Sequence, residues 1–298
     1  MSQQPPVSIT ISTGQGWPAI QAAVRSAEAA AARVGGEVVI TDGSGLPTPP
    51  HGELAALTTW RAVPGASVFQ LRRLAYELSA APIIAITEDH CRVPEDWAER
   101  MLAAHAAHPE AAAIGGSVEN GAVGSGLDWA SFLVVQATIA APIASGAASK
   151  LAGAVNTSYK RAALAAIDDF DGLGTMDVVH QRALGRSGQT LVADDSIRVV
   201  HDQALGRQGT ILIHYHAGRT FAGFLRARMD GNAWLRFLGV FVVPYVRFGR
   251  AVVVTRRKGY GPIVSRVWPA MLGLYLVQGA GQLVGFFAGP GDSPTRVQ

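Results

Sequence analysis

The chain has 298 residues, enough for one large domain or two smaller ones with a substantial buried core. Hydrophobic residues make up 49% of it and charged residues only 16%, which is apolar for a soluble enzyme and indicates a part that faces a membrane. A single cysteine excludes an internal disulfide and is typical of a reducing compartment. Residues 1–6 are polar and lead directly into a predicted strand, so we expect no signal peptide.

The net charge of +3 conceals a strong asymmetry along the chain. Residues 1–206 carry 13 Lys and Arg against 20 Asp and Glu, a balance of −7, whereas residues 207–298 carry 12 against 2, a balance of +10. A basic region is typical of proteins that bind nucleic acid or an anionic membrane. The basic part is also the most apolar part, and no helix-turn-helix or basic–aromatic platform is present. We therefore expect a membrane partner and no nucleic acid.

Strand and helix patterns alternate through the first hundred residues. The predicted order is a strand at 7–13, an Ala-rich helix at 19–34, a strand at 37–41, a weaker strand near 56–59, a helix at about 67–81 and a buried strand at 82–86. This alternation predicts an α/β fold with a doubly wound, mostly parallel sheet and helices on both faces.

The buried strand at 82–86 is followed closely by Glu88-Asp89-His90, and then by a helix that begins near Pro94. In open α/β sheets, ligands bind outside the carboxyl ends of the parallel strands. Carboxylate and imidazole groups at such a strand end suit a divalent cation that holds a diphosphate. The plain alternative is a solvated turn with an acid that caps the helix.

Later segments are less regular. We predict strands at 111–118 and 154–159, a helix at 177–187 and a final strand pair around 194–195, while the Ala/Gly/Ser-rich segment 129–148 supports no firm assignment. His214 and His216 lie on an apolar, strand-like run; their spacing matches no structural zinc site, and we interpret them as structural.

The basic part, 207–298, contains two apolar stretches. Residues 237–246 are too few to span a bilayer. Residues 267–288 form 22 residues without a charge, just enough to cross, although a proline, two glutamines and four glycines weaken the pattern. A spanning, a re-entrant and an interfacial helix all remain open for this stretch. The cluster Arg256-Arg257-Lys258 matches the positive-inside pattern.

Five short motifs follow one another at characteristic spacings. They are Asp42-Gly43-Ser44 before a Gly65-led helix with Arg72 and Arg73; Glu88-Asp89-His90 before Pro94-Glu95-Asp96-Trp97; Gly153 with Asn156, Tyr159 and Arg161; Phe170-Asp171 with Met176-Asp177, Arg182 and Gly188; and Val199-Val200-His201. In this order they resemble the family 2 inverting glycosyltransferases, which have the GT-A fold. The resemblance covers residues 7 to about 206. More loosely, the tail resembles that of members with C-terminal membrane helices.

The resemblance implies a nucleotide-sugar donor, most often a UDP- or GDP-sugar in this family, and a divalent metal, Mn²⁺ or Mg²⁺. On this sequence, the resemblance implies that Asp177 is the catalytic base. It also implies three further sets of site residues. They are Thr13, Asp42, Arg72, Glu88 and Asp89 at the donor; Glu88, His90 and His201 at the metal; and Asn156, Trp97 and Arg182 on the acceptor side.

Two departures from the family pattern bear on the chemistry. The usual Asp-x-Asp is Glu88-x-His90 here, and a carboxylate-plus-imidazole set favours Mn²⁺ over Mg²⁺. The usual Glu-Asp pair is Met176-Asp177, so one acidic group is missing. Both departures also support the alternative of a non-catalytic relative that binds nucleotide sugar or scaffolds a membrane complex. A nucleotidyltransferase is disfavoured because residues 14–17 carry no basic side chain for a phosphate.

We therefore expect residues 1–206 to form a catalytic domain and residues 207–298 a basic, apolar helical region for membrane association. The expected protein is a metal-dependent inverting glycosyltransferase at the cytoplasmic face of the inner cell membrane, peripheral or with one or two embedded helices. Its acceptor would be a lipid-linked or nascent surface glycan, as in polysaccharide biosynthesis. The sequence assigns no oligomeric state.

Overall fold

The computed structural model describes residues 4–167, 177–226 and 233–297. The chain divides into two compact units, Met1–Glu119 with Ala141–Asp202, and Asn120–Ala140 with Gln203–Gln298. Residues 120–140, which precede the boundary expected at 206, thus belong to the second unit. The assignment of catalysis to one part and membrane association to the other stays a prediction.

A mixed sheet of nine strands, counted over the described residues, forms the centre of the first unit. The strands are β1 (Val7–Thr13), β2 (Glu37–Asp42), β3 (Thr58–Ala62), β4 (Ile83–Glu88), β5 (Cys91–Arg92), β6 (Ala111–Asn120), β7 (Gly146–Ala147), β8 (Thr157–Lys160) and β9 (Thr190–His201). Their order is β3-β2-β1-β4-β8-β6-β9-β5, with β7 beside β9. The strands from β3 to β4 are parallel, and β8 pairs antiparallel with both β4 and β6.

The strand pair predicted around 194–195 is instead the single continuous strand β9. Helices connect the strands of the sheet. Those of the first unit are α1 (Trp17–Val34), α2 (Val68–Leu78), α3 (Trp97–Ala107), α5 (Arg161–Ile167) and α6 (Asp177–Arg186). α1 has a proline in its first turn and ends at Gly35, whose left-handed φ of 65° lets its N–H reach the last carbonyls of the helix. At the start of α2, Ser67 and Gln70 form a capping box.

The core of the first unit is aliphatic and forms around the parallel strands. Ile9 and Ile11 of β1 and Ile40 of β2 are fully buried, which is typical of parallel strands covered on both faces. Burial of each such side chain contributes about 1.5–3 kcal/mol. Because the core fixes the register, the ends of β1, β2 and β4 lie level: Thr13 pairs with Asp42, and Ser12 pairs with Glu88. The α/β class with a doubly wound parallel half is confirmed.

The second unit is helical. It contains α4 (Gly126–Gln136), α7 (Gly206–Arg226), α8 (Ala233–Thr255) and α9 (Gly261–Ala288). Glycines allow α7 and α9 to approach closely: a Cβ on Gly281 would lie 2.1 Å from the carbonyl oxygen of Tyr215, and one on Gly285 would lie 2.2 Å from that of Arg219. These glycines therefore serve helix packing.

The strand-like assignment around His214 and His216 was wrong, because both residues lie in helix α7. The apolar run that suggested a strand is short, and such runs do not distinguish a strand from a buried helix; here it belongs to α7, which packs on α9. His214 is buried between Ser131 Oγ at 2.9 Å and Gln278 Nε2 at 2.8 Å, and His216 bonds Ser293. Both histidines thus hold helices together, in agreement with the structural interpretation.

Among the described residues, the stretch Phe241–Ala288 is long and apolar enough to cross a membrane, judged by length and composition alone. The stretch is not one straight helix. Gly259 has φ 94° and ψ 0°, which breaks the helical path between α8 and α9. Residues 267–288 lie within α9, where one face, including Met271, Leu274 and Gln278, is buried. That face packs on protein.

Candidate functional site

Polar side chains collect where β1, β2 and β4 end. Thr13, Asp42 and Glu88 are the last residues of these three parallel strands, and the strand register sets them side by side. This edge is where open α/β sheets bind ligands.

Glu88, His90 and His201 form a compact set of donor atoms. His90 Nε2 lies 3.0 Å from His201 Nε2 and 3.3 Å from Glu88 Oε2, and His201 Nε2 lies 3.9 Å from the same oxygen. Bonds from a divalent transition metal to such ligands are about 2.0–2.2 Å long, so neighbouring ligand atoms lie about 3.0–3.5 Å apart. The spacing and chemistry of this set therefore fit a divalent cation.

His201 joins the cluster although 111 positions separate it from His90. The two-residue strand β5 pairs antiparallel with the end of β9, and this register sets Cys91 opposite His201. The backbone N–H of Asp202 also donates to the carbonyl of His90 at 2.9 Å. The pairing of β5 with β9 thus places the His201 imidazole at the end of β4.

The cluster contains a fourth residue that the sequence interpretation missed. Cys91 Sγ belongs to a group with Glu88, His90 and His201 in which all ligand atoms lie within 4.8 Å of one another. Cys91 is fully buried. Its signal in the sequence was its place directly after His90 as the single cysteine of the chain.

Asp89 orients the first imidazole. Its Oδ1 accepts a hydrogen bond from His90 Nδ1 at 2.8 Å, and its Oδ2 accepts one from the Thr13 hydroxyl at 2.6 Å. Asp89 is buried, with 5% of its surface exposed. When Nδ1 carries the proton and donates it to a carboxylate, Nε2 is free to bind a metal, an arrangement common around protein-bound metals.

The charged groups of the cluster shift one another's pKa values. Burial alone would raise the pKa of the Glu88 carboxyl, but the hydrogen bond and charge of His90, together with Arg72 and His201, lower it to about 2. Burial would lower the pKa of His90, yet hydrogen bonds to Asp89 and Glu88 raise it to about 10. Burial and the charge of His90 lower the pKa of His201 to about 4. At neutral pH the metal-free pair of imidazoles therefore carries one positive charge, on His90, at the place where a cation would bind.

Arg72 of α2 reaches the same strand end. Its Nη2 lies 3.2 Å from Glu88 Oε1, and the two side chains are 13% and 24% exposed. The guanidinium therefore binds the Glu88 oxygen that faces away from the imidazoles and holds the carboxylate in place.

Asp42 has a free acceptor. Its Oδ1 accepts the backbone N–H of Ser44 at 2.8 Å, whereas Oδ2 is buried and has no hydrogen-bond partner among the residues that the structure describes. The residue is 1% exposed. A buried carboxylate oxygen without a donor is costly, so it is suited to accept a hydrogen bond from a ligand.

Two residues expected on the acceptor side lie in the core. Trp97 and Asn156 have no exposed surface, and Trp97 Nε1 donates to Asn156 Oδ1 at 2.9 Å. The Asn156 amide in turn donates to the carbonyls of Ser117 and Ile197. These contacts tie α3 to β6, β8 and β9, so both side chains stabilise the framework behind the site, and their contact with an acceptor stays a prediction.

The remaining predicted residues lie on or beside α6. Arg182 is exposed on this helix. Asp177 is its first residue, as the sequence pattern predicted, but the placement of its side chain and the whole of Met176 lie outside the described part of the chain. The role of Asp177 as a base stays a prediction.

Comparisons with known proteins identify the fold. No family model and no curated protein matches the chain. Among solved structures, it is similar to the mannosyltransferase PcManGT from Pyrobaculum calidifontis, solved in complex with GDP-Man and Mn²⁺, with a TM-score of 0.58 and 16% identity over 95% of this chain and 88% of that one. A weaker likeness, with a TM-score of 0.49 and 12% identity, is to GalNAc-T7 with UDP, GalNAc and Mn²⁺, over 67% of this chain and 43% of that chain.

The likeness to the mannosyltransferase covers nearly the whole of both chains. At 16% identity it shows the fold, and the expected GT-A-like α/β fold is thereby confirmed. Activity has to be argued from the site itself.

Proposed function

We propose that the protein is a membrane-associated, metal-dependent inverting glycosyltransferase that moves a sugar from a nucleotide-sugar donor to a lipid-linked or surface-glycan acceptor. The observation that carries the proposal is the Glu88, His90 and His201 cluster at the carboxyl end of β4, beside Asp42 with its free buried oxygen. The similar mannosyltransferase, solved with GDP-Man and Mn²⁺, supports the same class.

The donor would bind across the ends of β1, β2 and β4. Asp42 Oδ2 is the acceptor for a base N–H of the nucleotide, which suits uridine and guanosine. Glu88, His90 and His201 would hold the divalent metal, Mn²⁺ or Mg²⁺, which when bound neutralises negative charge that grows on the leaving diphosphate. Arg72 fixes Glu88, and Asp89 fixes His90, so the binding set is organised before the donor arrives.

The acceptor side needs a base. We assign this role to Asp177 at the start of α6, where the resemblance sets the family's base. Its carboxylate would take the proton of the acceptor hydroxyl as that oxygen bonds to the anomeric carbon from the face opposite the leaving group, and the bond to the diphosphate breaks. Attack from the opposite face inverts the anomeric configuration.

The membrane part of the proposal rests on one face of α8. Val242, Val246 and Val253 are 49–58% exposed, whereas Pro244 and Ala251 on the opposite face are buried. On a 3.6-residue helix the three valines form one stripe with Arg250 beside it, and Arg257 follows just after the end of α8. An apolar stripe with flanking arginines is typical of a helix that lies in the surface of an anionic bilayer.

The charge of residues 207–298 also supports a membrane partner. Its balance of +10 favours the anionic cytoplasmic leaflet, and each Lys or Arg close to such a surface contributes about 1 kcal/mol. The exposed valines add a contribution that salt does not screen. We therefore propose an association at the cytoplasmic face through the second unit, with α8 in the surface plane.

The proposal is tested by separating donor binding from turnover. Glu88→Gln and His201→Ala should weaken metal-dependent binding of UDP or GDP, measured by calorimetry. Asp177→Asn should leave that binding unchanged and lower transfer by about 10²–10⁴-fold, the usual contribution of a general base. Asp194→Asn, the same change in the strand β9, is the matched control and should transfer at the wild-type rate. An Asp177→Asn protein that transfers at that rate excludes Asp177 as the base.

The alternative is a non-catalytic relative that binds nucleotide sugar at the membrane. It is favoured by Met176, which replaces an acid of the family pattern. In that case nucleotide binding would depend on Glu88 and His201 as above, but no acceptor or metal would produce turnover.

A further inference from the structure

The buried thiol of Cys91 lies among the candidate metal ligands. Its Sγ and the ligand atoms of Glu88, His90 and His201 are all within 4.8 Å of one another. The thiol is fully buried, whereas Glu88 and His90 keep part of their surface exposed. The sulfur therefore closes the protein side of the cluster, and any opening to solvent lies on the side of Glu88 and His90.

The position of Cys91 follows from the strand pairing. Cys91 and His201 are direct partners in the antiparallel pair β5–β9, and His90 precedes Cys91 in the chain. Two of the other three ligands are thus a backbone neighbour and a cross-strand neighbour of the cysteine. A buried cysteine often serves only as a small apolar side chain. Here the ligand atoms of three further metal-binding groups lie within 4.8 Å of the sulfur, which indicates a role as a ligand.

The four groups make a donor set that differs from a carboxylate set. Thiolate and imidazole are ligands that zinc and similar ions prefer, whereas Mg²⁺ and Mn²⁺ favour oxygen. Four protein ligands complete the tetrahedral coordination of zinc, as in structural zinc sites. Three protein ligands leave a position open, which a catalytic metal needs in order to touch its substrate.

We propose that Cys91 is a fourth ligand, which gives the site a closed, zinc-binding form in addition to the open three-ligand form. In the closed form Glu88, His90, Cys91 and His201 together hold Zn²⁺. On binding, the Cys91 S–H bond breaks, an S–metal bond forms, and the proton goes to solvent. Zinc bound in this way competes with the metal that the proposed transfer reaction needs, so the inference deepens the proposed function by assigning a metal-selective inhibition to the same site.

The single cysteine makes the test specific, because any thiolate–metal signal can come only from Cys91. Co²⁺ is the spectroscopic substitute for Zn²⁺. The full-length protein titrated with Co²⁺ should develop a sulfur-to-cobalt charge-transfer band in the near ultraviolet, and added Zn²⁺ should remove it. A cobalt complex without that band overturns the proposal, and this result requires no variant.

Cys91→Ser and Cys91→Ala separate the two forms of the site. Both should bind Zn²⁺ at least about 100-fold more weakly than the wild type, since even outer-shell partners of a metal contribute 10–100-fold. Their affinity for Mn²⁺ should stay within a few-fold of the wild type, which also verifies that the variants are folded. Equal zinc affinity in the wild type and both variants contradicts the proposal.

These measurements are independent of sugar transfer. If the cobalt band appears and no nucleotide sugar is ever turned over, the closed zinc site stands and the proposed transferase activity fails. If transfer is found without the band, the activity stands and the role of Cys91 fails.

Discussion

Replacement of Asp89 by Asn tests whether the His90 imidazole is organised for a metal. In the wild type Asp89 Oδ1 accepts from His90 Nδ1 at 2.8 Å, and Oδ2 accepts from the Thr13 hydroxyl at 2.6 Å. An asparagine can keep only one of these acceptors. If its oxygen faces His90, the bond survives without the negative charge; if its amide faces His90, the imidazole must carry its proton on Nε2, which then cannot bind a metal.

The magnitude of this effect follows from the chemistry of the bond. Hydrogen bonds to a charged acceptor are roughly twice as strong as neutral ones, and outer-shell partners of metal ligands contribute about 10–100-fold in metal affinity. We therefore expect Asp89→Asn to weaken Mn²⁺ binding by about 10–100-fold, or about 1.4–2.7 kcal/mol. The loss should appear without any donor or acceptor present.

The assay is a titration of Mn²⁺ followed by electron paramagnetic resonance, which reports the free ion. Asp96→Asn is the matched control, because it removes the same charge from a residue that pairs with Arg100 instead of the cluster. We expect this control to bind Mn²⁺ as the wild type does. Equal weakening in both variants would mean that general charge, not the orientation of His90, sets the affinity, and unchanged binding in Asp89→Asn would refute the role of Asp89.

Three further predictions concern the same cluster and the second unit. His90→Asp should shift the preference of the site from Mn²⁺ toward Mg²⁺, measured as the ratio of the two affinities, because it exchanges an imidazole for an oxygen ligand. The folded pKa of His90, about 10, lies above its ordinary 6.5, so its stabilisation of the metal-free protein is complete below pH 6.5 and is lost as pH rises through 10. Denaturant titrations of metal-free protein should accordingly show unfolding free energy falling by up to about 1.4 kcal/mol per pH unit in that range, and a His90→Gln protein should lack this slope. Val242→Asp with Val246→Asp should reduce binding to anionic vesicles in high salt, where Leu46→Asp, at a similarly exposed site of the first unit, should not; equal losses would contradict the role of α8.

Much of the first unit was predictable because its signals are local. The runs predicted as strands at 7–13, 37–41 and 82–86 became β1, β2 and β4, and parallel strands bring their carboxyl ends to one edge. The pattern of strand and helix therefore predicted both the sheet and the place of the candidate site.

What sequence reasoning missed depends on pairing between distant segments. β5 has only two residues, too few for a periodic pattern, yet it joins Cys91 to His201. The burial of Trp97 also follows from tertiary packing: its indole finds a partner in Asn156, 59 positions away. Likewise, α4 packs on α7, α8 and α9, which lie far from it in the chain.

The central claim is tested most directly by transfer of labelled sugar from UDP- and GDP-sugars to lipid in bacterial membranes. The full-length protein with Mn²⁺ should move label into the lipid that organic solvent extracts, with release of the nucleoside diphosphate. Chelation of the metal, or Asp177→Asn, should abolish or strongly reduce that signal. If the protein binds the nucleotides in a metal-dependent way but moves no label with any donor, it is a nucleotide-sugar-binding protein and not a glycosyltransferase.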